Sequence, residues 1–256
     1  MRKHVVCGIL CFCLIVAVVA SGCIGTPAEK KLIVGIGENY PPYGYPDTNG
    51  TYVGLDVESM QWIADQNGFD IAYTALPWTN IVDNVADGTV DIIYCGLTIT
   101  PERSEIVDFS NPYLSVNIAV AVLPNSSLTK EDVLSGNASV TTQKGGTSYA
   151  WTEKNLNETG ILGEGAFMPQ ATINDAFAML ADGTCDAVIY DEITVNSYVA
   201  RGVAKKIGVI EVNDPYGVAV RKGDNETLQM INKGIADLQA SSKWQELLDK
   251  YGVILS

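Results

Sequence analysis

Two short segments of this 256-residue chain carry groups that could hold a small charged molecule. The first, Cys95-Gly96-Leu97-Thr98-Ile99-Thr100-Pro101-Glu102-Arg103, offers a hydroxyl and a guanidinium; the second, Tyr190-Asp191-Glu192, offers carboxylates. A guanidinium is a planar fork that matches a carboxylate, and a carboxylate with hydroxyl or carbonyl acceptors beside it matches an ammonium. Brought face to face, the two segments would suit a zwitterion. Each also has a plainer reading. Thr100-Pro101-Glu102 is a helix-start signature that could leave Arg103 solvated, and Asp191 could be an acid favoured by a helix N-terminus. The Gly145-Gly146 loop reads either as a turn or as a set of exposed amides suited to a carboxylate.

Composition removes other chemistries. The single histidine, His4, lies in a leader read as removed, so imidazole bases and histidine-ligated metals are excluded from the mature chain. The net charge of -14 comes from 30 acidic against 16 basic residues with no Lys/Arg cluster to follow phosphates, which excludes nucleic-acid binding. Arg2, Lys3 and His4 precede the apolar run Val5 to Ala20. That run is shorter than the ~20 residues that span a bilayer, so residues 1–22 read as a secretory signal, with a signal anchor as the competing reading. Ala20-Ser21-Gly22-Cys23 is similar to a lipobox, in which Cys23 takes the lipid and becomes the new N-terminus. Only Cys95 and Cys185 remain in the fold; they fall at opposite ends of their strands and are not expected to bond. Sequons at Asn49, Asn125, Asn137, Asn157 and Asn225 agree with an exterior surface.

The elements that must position the two segments are announced by an internal echo. Ala86-Asp-Gly-Thr-Val-Asp-Ile-Ile-Tyr-Cys95 returns as Ala181-Asp-Gly-Thr-Cys-Asp-Ala-Val-Ile-Tyr190. In each copy a helical pattern stops at Asp-Gly, where glycine can take the left-handed conformation, and an apolar strand follows. Two copies suggest paired lobes, with chance recurrence of a common turn as the alternative. Further strands are expected at Lys31–Ile36, Phe69–Tyr73, Ile118–Leu123, Val140–Gln143, Ile207–Val212 and Gly217–Val220, and helices around Asp56–Asn67, Tyr149–Asn157, Asp191–Ala200 and Glu226–Gln239. Apolar strands alternating with helices imply parallel sheets, which bind ligands beyond the carboxyl ends of their strands. With no linker between lobes, two crossing strands near Ile118–Val122 and Asn213–Val218 would join them. The domain reading is a linker at 23–30, a discontinuous first lobe at 31–117 and 217–256, and a second lobe at 118–216.

These residues resemble the extracellular solute-binding proteins of ABC transporters for polar amino acids, family 3. The resemblance spans about Lys31 to Gly252 and rests on GLTITPERSEIVDFSNPY (Gly96–Tyr113), VGLDVESMQWIA (Val53–Ala64), QKGGTS (Gln143–Ser148), AVIYD ending at Asp191, and DPYGVAVRKGD (Asp214–Asp224). It implies an α/β, two-lobe periplasmic-binding-protein-like fold (type II), each lobe a sheet flanked by helices. It further implies that Arg103 clamps the ligand carboxylate with the amides of Thr98 and Ser148, and that Asp191 takes the ammonium with the Gly96 carbonyl and Thr98 hydroxyl. Cys95, Thr147 and Tyr190 would line the same site, and Glu38, Tyr40 and Trp78 would meet the ligand side chain. Glu38 is the acid at that end with no basic companion, and Tyr40 with Trp78 could sandwich a planar group, so a cationic amino acid, arginine first, is the expected ligand, with glutamine the runner-up and acidic amino acids rejected. The implied partners are the free amino acid and an ABC permease; no cofactor or metal is implied, the membrane is met only through the Cys23 lipid, and a monomer suffices. The implied location is extracytoplasmic, on the outer face of the cytoplasmic membrane or in a periplasm. Two alternatives remain: an eliminating enzyme like the periplasmic cyclohexadienyl dehydratases, which resemble this fold, and a sensory ectodomain.

Overall fold

The computed structural model describes residues 31–254, so the expected signal and Cys23 lie outside the described residues. The first stretch runs β1 (Lys31–Gly37), β2 (Tyr45–Pro46), β3 (Tyr52–Val53), α1 (Leu55–Asn67), β4 (Asp70–Leu76), α2 (Asp83–Ala86), β5 (Ile92–Ile93), α3 (Pro101–Ile106) and β6 (Val107–Phe109). The chain then builds β7 (Leu114–Val122), α4 (Lys130–Leu134), β8 (Val140–Thr141), α5 (Thr147–Thr152), a π-helical turn at Glu153–Asn157, α6 (Ile173–Ala181), β9 (Ala187–Asp191), α7 (Glu192–Ala200) and β10 (Lys205–Tyr216). It finishes with β11 (Ala219–Arg221), α8 (Asn225–Ala240) and α9 (Ser242–Tyr251).

Two main sheets result, β4-β1-β5-β11-β6 and β10-β7-β9-β8. The central strands are apolar because helices cover them: Val34, Ile36, Ile92 and Ile93 are fully buried, as are Leu55, Met60 and Ile63 of α1 above them. At Gly234 of α8 the chain passes so close to Ile63 that a β-carbon would collide with its side chain, which lets α8 lie flat on α1.

The echo falls once in each sheet, and its polar positions do the same work twice. Gly88 (φ 83°) and Gly183 (φ 79°) make the turns. Asp87 and Asp182 each accept the amide of the threonine two residues on, at 2.9 Å. Asp91 then accepts the Ile33 amide of β1 at 2.8 Å, and Asp186 accepts the Ser139 amide before β8 at 2.8 Å. Each aspartate thus ties the start of its strand to the parallel neighbour.

The expectation of parallel sheets is corrected. β1 pairs in parallel with β4 and β5, but β11 is antiparallel to both β5 and β6. In the second sheet only the β8–β9 pair is parallel; β7 is antiparallel to β9 and to β10. The reason is the double passage between the sheets. The chain leaves along β7, which starts at Leu114 rather than Ile118, and returns along β10, so the two long strands run in opposite directions and pair with each other. The ladder continues beyond them, with the Tyr113 amide donating to the Tyr216 carbonyl and the Ser110 amide to the Val218 carbonyl. A bulge between Ile210 and Asp214 bends β10, and there the Asn117 side chain accepts the amides of Val212 and Asn213, the latter at φ 53°.

Candidate functional site

Between the two sheets the structure gathers both chemistry-bearing segments. β5 ends into the Cys95–Thr98 loop, which is wholly buried and held from behind: the Gly96 amide donates to Asp56 of α1 at 2.6 Å, and the Tyr113 hydroxyl donates to the same carboxylate oxygen at 2.7 Å. Gly96 sits at φ 61°, with rings of Tyr40, Tyr43 and Tyr216 packed where a side chain would be. Thr100 caps α3 by accepting the Arg103 amide at 3.2 Å, with Pro101 at the first helical position. The capping half of the plainer reading holds, but Arg103 is not left solvated. The helix is capped, and it turns Arg103 inward, where Nη1 donates to the Thr98 carbonyl at 2.8 Å and Nη2 to the Gly145 carbonyl at 3.2 Å. Burial pulls the Arg103 pKa below its ordinary value.

Asp191 closes β9 and precedes α7, 6% exposed. Its Oδ2 accepts the Tyr40 hydroxyl at 2.8 Å and the Tyr216 hydroxyl, and its Oδ1 accepts the Ser148 hydroxyl at 2.9 Å. Burial raises its pKa, and the three hydroxyl donors act against that rise. Thr98 and Thr147 bring their hydroxyls within 3.5 Å of each other, and Ser148 is fully buried at the start of α5.

A cavity of about 80 Å³ lies beside these groups, lined by Glu38, Tyr40 and Trp78 on one side and Gln143, Thr172 and Asn174 on the other. Glu38 is exposed at its rim. Tyr40 meets Trp78 edge to face, centroids 5.6 Å apart at 64°, and the Arg103 guanidinium carbon lies 5.7 Å from the Trp78 ring centroid. The expected sandwich of a planar group between Tyr40 and Trp78 is corrected: the two rings meet each other edge to face and leave no slot between them. The Tyr190 hydroxyl donates to Gln143 at 2.7 Å. Cys95 is a buried free thiol whose pKa burial pushes up, and Cys185 is also free. The structure thus brings Gly96, Thr98, Arg103, Thr147, Ser148 and Asp191 together, with Glu38, Tyr40 and Trp78 adjoining and Cys95 set back in the core.

Sequence reasoning missed four residues here. Tyr216, Gln143 and Asp56 lie inside the DPYGVAVRKGD, QKGGTS and VGLDVESMQWIA motifs, where nothing local assigns them a role, and Asn174 carries no local signal. The Asn174 side chain donates to the Asn39 carbonyl at 3.0 Å and accepts the Tyr198 hydroxyl at 2.5 Å, tying α6 to the β1 loop. Among the described residues no group of three or more histidine, cysteine or acidic side chains could hold a metal, and no helix is long and apolar enough to cross a membrane.

The model of the bacterial extracellular solute-binding proteins, family 3, matches residues 32–254. A probable histidine-binding protein of Neisseria gonorrhoeae is 28% identical over 217 residues, covering 83% of this chain and 79% of that one. Among solved structures, an ancestral arginine-binding protein with arginine bound has a TM-score of 0.78 at 31% identity over 86% of this chain and 97% of its own. One with glutamine bound has a TM-score of 0.78 at 30% identity over 88% and 98%. The ancestral amino acid-binding protein AncCDT-1, a precursor of cyclohexadienyl dehydratase, has a TM-score of 0.76 at 26% identity over 86% and 94%.

Proposed function

We propose that this chain, which belongs to the bacterial extracellular solute-binding proteins of family 3, captures a free amino acid outside the cytoplasm and delivers it to an ABC transporter permease. The observation that carries the reading is the buried Asp191 carboxylate, ringed by hydroxyls of Tyr40, Ser148 and Tyr216, set near an Arg103 guanidinium tied only to carbonyls. Arg103 takes the ligand carboxylate with the amides of Thr98 and Ser148. Asp191 takes the ammonium, which can replace a hydroxyl donor, together with the Gly96 carbonyl and Thr98 hydroxyl. Of the described residues, 31–117 with 217–254 form one lobe and 118–216 the other, and closure by bending of the crossing strands completes the site. Attachment is through lipidated Cys23, and a mature N-terminus found elsewhere by mass spectrometry would remove that part of the reading.

A cationic amino acid is the preferred ligand, arginine first and glutamine next. Glu38 offers a carboxylate at the cavity rim with no cation among the described residues lining the cavity beside it, and similar ancestral arginine-binding proteins have been solved with arginine and with glutamine bound. The competing reading is a dehydratase-like elimination, which needs a free carboxyl acid at the substrate. Against it, Asp191 is held by three hydroxyls and Glu192 is paired with Lys206 at 2.6 Å, which leaves Glu38, exposed at the cavity rim, as the one candidate acid of the three.

A thermal-shift screen of the common amino acids on ligand-stripped protein tests the class, since a ligand bound only by the folded state stabilises it by RT ln(1 + [L]/Kd). Calorimetric titration then ranks the hits. Arginine should bind more tightly than glutamine and leave glutamate without detectable binding; glutamate binding more tightly than arginine would place a basic group at the side-chain end and remove Glu38 from it.

A further inference from the structure

We propose that the indole N–H of Trp78 donates a hydrogen bond to the α-carboxylate of the bound amino acid, acting beside Arg103, so that Trp78 reads the common end of the ligand and is more than a wall for its side chain. The inference rests on the amino-acid reading above. Trp78 Nε1 is buried and has no hydrogen-bond partner among the described residues. A buried donor without an acceptor costs free energy that a folded protein rarely leaves uncompensated, and indole, unlike a hydroxyl, cannot rotate its hydrogen elsewhere. Of the partnerless buried polar atoms among the described residues, it is the one that belongs to a residue lining the cavity.

The identity of the missing acceptor follows from chemistry and place. Indole only donates, and neither an ammonium nor a guanidinium can accept, so the head group of a cationic ligand cannot satisfy it. Every free amino acid does bring a carboxylate. The Arg103 guanidinium carbon is 5.7 Å from the Trp78 ring centroid. Nε1 would stand 4.0 Å from a β-carbon built on Gly145, the residue whose carbonyl receives Arg103 Nη2. The orphan donor therefore lies near the guanidinium end of the site. With Tyr40 against it edge to face, the ring contributes direction more than an open stacking platform.

Trp78→Phe keeps an aromatic ring and removes the donor. By calorimetry, the variant should lose affinity for L-arginine and L-glutamine by the same factor, ~10- to 100-fold, as for a hydrogen bond to a charged acceptor. Affinities within threefold of wild type for both would overturn the proposal. So would a loss confined to arginine, which marks stacking, or to glutamine, which marks its side-chain carbonyl as the acceptor. In ¹⁵N-labelled wild-type protein the indole resonance absent from Trp78→Phe should move downfield on saturation with L-arginine, and a stationary resonance would overturn the proposal without any variant. A wild type that binds no amino acid in the thermal-shift screen would instead sink the underlying function and this inference with it.

Discussion

Asp56 is a carboxylate sealed behind the binding loop, and replacing it by asparagine should make the protein more stable at neutral pH. Its side chain is fully buried in the first turn of α1, with Oδ2 accepting Gly96 N–H and the Tyr113 hydroxyl while Oδ1 has no partner. Burial pushes its pKa up to about 7, against the pull of those two hydrogen bonds. The groups that face it, Tyr43, Tyr73, Tyr94, Tyr113 and Cys95, all have pKa values raised, so none changes charge below pH 8. An unfolded aspartate titrates near 3.9. Between about pH 4 and pH 7 the native state keeps a proton that the unfolded state has lost, so stability falls as pH rises, by about 1.4 kcal/mol per unit and roughly 4 kcal/mol in all. Above pH 7 the loss is complete. Asparagine can still accept both donors through its carbonyl, while its unpartnered amide group costs about 1–3 kcal/mol at every pH. Urea unfolding of ligand-stripped wild type and Asp56→Asn at pH 5, 6, 7 and 8 should therefore show the variant gaining on wild type by roughly 3 kcal/mol from pH 5 to pH 8. Two stability profiles that stay parallel across that range would refute the reasoning, because they would mean that Asp56 is ionised in the native state throughout.

Arg103→Ala and Asp191→Ala should each leave the fold intact and weaken amino-acid binding by about 2–5 kcal/mol, roughly thirtyfold to several thousandfold by calorimetry, since each strands a buried charge. Either variant binding within threefold of wild type would dismiss that residue's role. Gly96→Ala should lower stability by at least ~1–2 kcal/mol, because φ is 61° and the new carbon would lie 3.0–3.2 Å from ring carbons of Tyr40, Tyr43 and Tyr216; an unchanged denaturation midpoint would count against that packing. Saturating ligand should reduce the radius of gyration in small-angle scattering as the crossing strands bend, and identical values with and without ligand would argue against closure.

Much of the architecture is local and was legible in the sequence. The strand at Lys31, the helices at Asp56 and Glu226 and the doubled helix–turn–strand at Ala86 and Ala181 come from side-chain periodicity and from glycine after aspartate, which act over a few residues. The chemistry of the site was legible too, since an arginine after a capped turn and an aspartate ending an apolar strand carry their donors and acceptors wherever they lie. Strand direction was not legible. An apolar run looks the same whichever way its neighbour travels, so the antiparallel pairing of β7 with β10 emerged only from the double passage between sheets. Partnership across the chain was equally hidden. Tyr40 and Asp191 are 151 residues apart, and nothing local to either announces their hydrogen bond. The same holds for the Asp56 carboxylate behind Gly96 and the unpartnered N–H of Trp78. Sequence sets which groups can donate, accept or ionise; tertiary packing alone sets which of them lose water and which partner each then meets, and that decides their pKa values and their roles.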